Sequence, residues 1–272
     1  MILIVASTKD VASMNIRQQL LAYYGFGESA EKFHRNPVYY KRVGDNDVKL
    51  VTINQEAIYY QAITNYFNPQ LVIYISRHSS KSGTPTLSVH TPGNLTEAQK
   101  GGIERKISIA PANAMREALL EMVHQKNTLD LNYQVSYECT HHGPSLDVAT
   151  MFVELGSSPP QWEDTKAAEA VAHATMASIS RCTKHSTVAV GIGGPHYSEK
   201  FTRMALDGSF AFGHIIPKYS ISQVDTKIIK QCVERTAEKV ETVILDWKGI
   251  KGADKAGLAK ALKEVEVQVQ KT

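Results

Sequence analysis

Six of the ten histidines stand in turn-like surroundings: SRHSS (His78), VHTPGN (His90), ECTHHGP (His141 and His142), GIGGPHY (His196) and FGHII (His214). Imidazole is the commonest zinc ligand and the side chain that titrates nearest neutral pH, so several converging at one sheet edge point to metal binding or acid–base catalysis. Taken singly, each has an ordinary alternative as a hydrogen-bonded structural residue; the shared setting of strand ends and Gly/Pro turns is what speaks for a site. His34, His124, His173 and His185 fall in helices or plain surface turns and carry no such signal.

ECTHHGP, residues 138–144, is the densest of these stretches. Strand alternation over 133–140 puts Gln134, Ser136, Glu138 and Thr140 on one face and Val135, Tyr137 and Cys139 on the other. If the strand persists, His142 joins the first face and His141 the second, so the adjacent pair is not expected to share one metal. Glu138 can accept from an imidazole N–H or act as a general base, and otherwise is a strand-end surface carboxylate. Cys139, on the apolar face, is expected to be buried and unreactive. Ser79 and Ser80 adjoin His78, but a sequence neighbour is poorly placed as the base for either. No HExxH, GxSxG or P-loop is present. The glycines of GIGGPH permit close backbone approach either to a substrate or to a packed helix.

The elements that must position these residues follow an α/β alternation. Ile2 to Ala6 is a short apolar run that reads as a strand, followed by a helical pattern through Ile16, Leu20 and Leu21 up to Gly25. Val48–Ile53, Leu71–Ile75, Thr187–Ile192 and Thr242–Leu245 are further strands. Helices are expected after Pro111 (through Met115, Leu119 and Val123), over Trp162–Ser180, over Val224–Lys239 and in the Lys-rich tail. The segment 82–112 is rich in Gly, Pro, Ser and Thr and reads as a long structured excursion, a setting more often functional than idle. The fold expected is one α/β domain over 1–272: a three-layer α/β/α sandwich with a mixed, mostly parallel sheet. Ligands of such sheets bind at the carboxyl ends of the strands.

With 43% hydrophobic and 21% charged residues, the chain of 272 residues is too apolar to be disordered. No apolar run approaches the roughly 20 residues needed to span a bilayer, and the N-terminus has no basic leader, so no membrane and a cytoplasmic location are expected. Three widely spaced cysteines, Cys139, Cys182 and Cys232, argue against a disulfide framework. A net charge of +3 fits a nucleic-acid partner and a small-molecule enzyme alike. Lysines and arginines at 100, 105, 106, 248, 251, 255 and 260 can track phosphates or form only a solvated face.

Taken in order, SRHSS, HTPGN, ECTHHGP, ELGSSPPQW, GIGGPHY, FGHII and the late DWKG resemble the archaeal-type D-aminoacyl-tRNA deacylases, a family shared with plants, across essentially the whole chain. The resemblance implies a monomeric, zinc-dependent enzyme of the phosphorylase/peptidyl-tRNA hydrolase fold class, with no obligate protein partner. Its reaction is hydrolysis of the ester between a D-amino acid and the acceptor end of tRNA. It further implies Zn2+ held by some of His78, His141, His142, His196 and His214, with Glu138 or Glu154 as further candidates. His142, Glu138, His196 and His78 become the catalytic candidates. Thr140, Trp162 and Lys248 become substrate-binding candidates, and Gly193, Gly194 or the turn Pro92–Gly93–Asn94 would present N–H groups to the oxyanion. A metal-free route with a histidine or Glu138 as general base stays open, as do two other functions: a zinc peptidase or amidohydrolase, and a non-catalytic tRNA-binding module.

Overall fold

The computed structural model describes residues 1–181, 186–208 and 210–272; Cys182 and His185 lie outside them. Strand β1 (Ile2–Ser7) leads into helix α1 (Val11–Tyr24), then β2 (Gly27–Phe33), β3 (Asn36–Val43) and β4 (Asn46–Ile53). Two 3-10 turns, Ala57–Tyr59 and Ile63–Asn65, precede β5 (Leu71–Arg77) and β6 (Thr86–His90). Helix α2 (Ala112–Thr128), β7 (Gln134–Tyr137), β8 (Ala149–Gly156), the short α3 (Pro159–Trp162) and α4 (Thr165–Ser180) follow. The last part runs β9 (Thr187–Ile192), α5 (Glu199–Leu206), β10 (Phe210–Ile216), α6 (Thr226–Glu234), β11 (Thr242–Leu245), α7 (Gly252–Lys263) and β12 (Gln268–Lys271).

The expected mixed α/β architecture with a large, mostly parallel sheet is found, but the strands divide between two sheets. Eight lie in the order β2-β3-β4-β1-β5-β8-β6-β7, and four in the order β10-β9-β11-β12. β4, β1, β5 and β8 are mutually parallel, with the apolar β1 and β5 at the centre, covered on both faces. β6 runs antiparallel to β8 and parallel to β7. One face of the large sheet carries α1, α4 and α2 over a core that includes Ile4, Ile73, Met151, Met115 and Leu119. Its other face, with Leu3, Val5, Tyr74 and Phe152, is closed by the 3-10 turns and loops through Ala57, Tyr60, Ile63 and Leu146. Helix α2 also packs on β10, and Phe201 of α5 meets Phe212 at 4.9 Å between ring centroids, so one core runs on to the small sheet. Among the described residues no helix is long and apolar enough to cross a membrane.

Several element ends differ from expectation for local reasons. Asp164 caps α4 by accepting from Lys166 and Ala167 N–H, which separates it from α3 where one helix was expected. Helix α6 stops at Glu234, short of Lys239: the Arg235 carbonyl is diverted to the N–H of Ala110 at 2.7 Å and to His214 Nε2 at 3.0 Å. The excursion at 82–112 contains β6, which becomes an interior strand of the large sheet.

Candidate active site

Beyond the apolar Tyr74 and Phe152, the same face of the large sheet turns polar. The registers align Ser76, Glu154, Ser88 and Ser136 as one row over β5, β8, β6 and β7. The neighbouring row is Tyr74, Phe152 and His90. Phe152 stacks on Tyr74 at 4.9 Å and on His90 at 5.2 Å, joining the hydrophobic core to the first imidazole of the site.

His90, His141 and His142 form one cluster, with His141 centred 4.3 Å from each of the other two rings and one ring nitrogen from each lying within 4.8 Å of the others. This reverses the expectation that the adjacent pair faces opposite ways. Regular strand pairing ends at Tyr137, His142 adopts a left-handed backbone (φ 42°), and the N–H of Gly93 is shared by the carbonyls of His141 and His142 at 3.2 and 2.6 Å. Gly93 can do this only as glycine, because a Cβ there would stand 2.4 Å from Ile107 Cα. His90, absent from the ligand set implied by the resemblance, is thus central. Its place in VHTPGN, one of the histidine-bearing turns, was the available signal.

The electrostatics of the cluster suit ligation. Burial, with help from neighbouring histidines, drives His90 and His141 well below the usual imidazole range, and burial lowers His142 to about 4. Neutral imidazole is the form that binds metal. His141 Nδ1 lies 2.8 Å from the Cys139 carbonyl and His142 Nδ1 2.7 Å from the Gly143 carbonyl. A carbonyl only accepts, so both Nδ1 atoms carry the proton and both Nε2 lone pairs are free. Both ring nitrogens of His90 are buried without a hydrogen-bond partner, which costs about 1–3 kcal/mol per group unless a ligand supplies one.

Behind the cluster lies a buried ion network. His78 Nδ1 is 3.1 Å from Glu138 and 3.4 Å from Glu154, its Nε2 meets the Tyr197 hydroxyl, and Ser76 donates to Glu154 at 2.6 Å. Burial opposes the charge on His78, but the two carboxylates outweigh it and push its pKa up to about 12. Burial likewise works against the Glu138 carboxylate, and the facing histidines hold it well below the usual range. Burial and the adjacent Glu138 push Glu154 up to about 7. His196 connects this network to solvent: Nε2 is 2.8 Å from Glu138, and Nδ1 is 3.1 Å from both Cys139 Sγ and the Tyr219 hydroxyl. Its burial is outweighed by Cys139 and Glu138, which raise it to about 10.

A cleft of about 360 Å³ opens over His141, His142 and His196. Residues 93–97, Gln99 and Lys100 form one wall and Pro217, Tyr219, Ser220 and Gln223 the other, with Thr140 between them. Cys139 is buried, as expected.

Other expected site residues serve the scaffold. His214 does not join the cluster: it is buried, with Nδ1 on Thr140 Oγ1 at 3.0 Å and Nε2 on the Arg235 carbonyl at 3.0 Å, so neither nitrogen is left for a metal. The Gly193 N–H donates to the Ile216 carbonyl, and a Cβ on Gly193 would meet Asp246 at 3.1 Å, so packing explains that glycine. Gly194, whose carbonyl accepts from Lys218 N–H, lies against the same Asp246. In the other proposed oxyanion turn, Pro92 has no N–H, Gly93 is spent on the histidine pair and Asn94 donates to Lys106 O. Trp162 stands outside the cleft and donates Nε1–H to the His78 carbonyl at 2.8 Å; Lys248 is exposed and also outside it.

Comparison with known proteins shows the family. A family model described as D-aminoacyl-tRNA deacylase matches residues 65–270. A D-aminoacyl-tRNA deacylase of Thermococcus kodakarensis is 42% identical over 270 residues, covering 96% of each chain. One of Pyrococcus abyssi is 42% identical over 268 residues, covering 95% of each. A crystal structure of a conserved protein of unknown function superposes with a TM-score of 0.87 at 29% identity, covering 100% of this chain and 95% of that one. The chain belongs to the D-aminoacyl-tRNA deacylase family.

Proposed function

We propose that this protein hydrolyses the ester between a D-amino acid and the 3′-terminal ribose of tRNA, releasing both, as a cytoplasmic monomer using zinc. Family membership supports the reaction. The observation that carries the mechanism is the cluster of three neutral imidazoles, two with their tautomers set by backbone carbonyls, beneath an open cleft. His90, His141 and His142 would hold the ion, a set of three nitrogen donors that leaves a position for water or substrate. When bound, zinc lowers the pKa of water toward neutrality and polarises a carbonyl.

The chain's own groups do the rest. His196 lines the cleft with a proton held against Glu138, and is placed to give one to the leaving ribose oxygen. Glu138 orients His196 and sits 3.7 Å from His141 Nε2, so it couples the acid to the ligand cluster. His78, itself held by Glu154, keeps Glu138 charged beneath the cleft. Chiral selection would fall to the cleft walls on either side of the histidines.

Incubation with D-tyrosyl-tRNA and L-tyrosyl-tRNA tests this reading. Rapid release of D-tyrosine and slow release of L-tyrosine are expected. Equal rates would reject the stereochemical claim. Cleavage of peptides with indifference to both tRNAs would favour a zinc peptidase instead, and binding of tRNA without turnover a non-catalytic module.

A further inference from the structure

The mouth of the cleft carries features that ester chemistry does not require. Tyr219 on one wall is 53% exposed, although its hydroxyl reaches inward to His196. Tyr59 lies outside the lining of the cleft but is 55% exposed, and a Cβ placed on Gly101 would come within 3.1 Å of its ring, which sets it beside the residue that follows Lys100 of the opposite wall. Lys100 is exposed on the cleft wall, and its carbonyl is anchored by the N–H of Gly143 at 2.9 Å. Lys218 is exposed next to Pro217 and Tyr219, held by its own N–H on the Gly194 carbonyl. Nearby cations are engaged, Lys106 with Asp147, Arg105 with Asp225 and Lys200 with Asp246. Among the described residues neither Lys100 nor Lys218 forms a salt bridge. The acid on this wall, Glu97, accepts from Gln99 and would face a substrate ammonium rather than a phosphate.

Exposed aromatic rings beside uncommitted ammonium groups are how proteins hold single-stranded nucleic acid: bases stack on the rings and phosphates meet the cations. A volume of about 360 Å³ fits one terminal unit of a chain and excludes a duplex. We infer that the unpaired 3′ strand of the tRNA crosses this mouth, its terminal base stacked on Tyr219 and a preceding base on Tyr59, with Lys100 and Lys218 on the intervening phosphates. This docking path rests on the deacylase reading above.

The test is the KM for D-tyrosyl-tRNA across a salt series, in the full-length enzyme. Each single-strand phosphate contact contributes about 0.7 to the slope of log affinity on log salt, so K100Q/K218Q is expected to lower that slope by about 1.4 and raise KM about tenfold. Tyr59→Leu is expected to raise KM about tenfold and Tyr59→Phe to restore it, because only the ring stacks. K260Q/K263Q, on α7, serves as the charge-matched control and should leave the slope at the wild-type value. Unchanged slope in K100Q/K218Q with wild-type hydrolysis intact overturns the docking path alone, as does an equal slope change in the control. Failure of the wild-type enzyme to cleave D-tyrosyl-tRNA overturns both readings.

Discussion

Replacing His90 with leucine is expected to abolish zinc binding and lower D-aminoacyl-tRNA hydrolysis by more than about a hundredfold, while making the metal-free protein more stable. Loss of a group that only supports a ligand costs about 10–100-fold, and loss of a ligand costs more. The stability effect has the opposite sign because both His90 nitrogens are buried without partners between Phe152, His141 and His142. Leucine removes those unmet groups at similar volume, so a gain of about 1–3 kcal/mol is expected in urea denaturation with chelator present. In zinc-loaded protein the same substitution should destabilise, since the wild type alone gains from binding. Retained zinc, or a loss of stability in chelator, would show that His90 is an ordinary core histidine.

The second large effect is expected from Glu138→Gln. Glu138 is 1% exposed and faces His78 and His196, so neutralising it leaves buried His78 with Glu154 alone and half-buried His196 without its carboxylate. Breaking such a pair from one side costs about 3–5 kcal/mol. Hydrolysis should fall about 10–100-fold, because His196 loses the carboxylate that orients it. The pH dependence follows from the directions of the shifts. Glu138 is depressed on folding, so its contribution is complete above its ordinary value of 4.5 and is lost as pH falls through the folded value. His78 is raised to about 12, so its contribution is complete below 6.5 and is lost as pH rises toward that value. The stability difference between wild type and Glu138→Gln should therefore peak between about pH 4.5 and 6.5. A difference independent of pH would mean that the network is not ionised as described.

Much of the large sheet was legible because β1 and the first five residues of β5 are unbroken apolar runs, buried on both faces, and β4 keeps a buried apolar end through Leu50, Val51 and Ile53. β6 was not, because TLSVH carries on its polar face the residues that build the site, Ser88 and His90. The hairpin of β2 and β3 escaped for another reason: GESAEKF is a charged sheet edge with almost no buried side chain. The concentration of histidine in turns pointed to the region where Glu138 and His196 meet. The pairing of His141 with His142 depends on a left-handed residue and on Gly93 from a distant loop, neither of which periodicity reveals. His214 looked equivalent to the others, and only the fold shows Thr140 and Arg235 occupying its two nitrogens.

Removing and restoring zinc while following D-tyrosine release from D-tyrosyl-tRNA tests the central claim most directly. The cluster of His90, His141 and His142 predicts that chelated, metal-free enzyme loses more than about 99% of its rate, consistent with loss of a ligand-bound ion, and regains it on adding zinc. An undiminished rate in protein shown to be free of metal would contradict it.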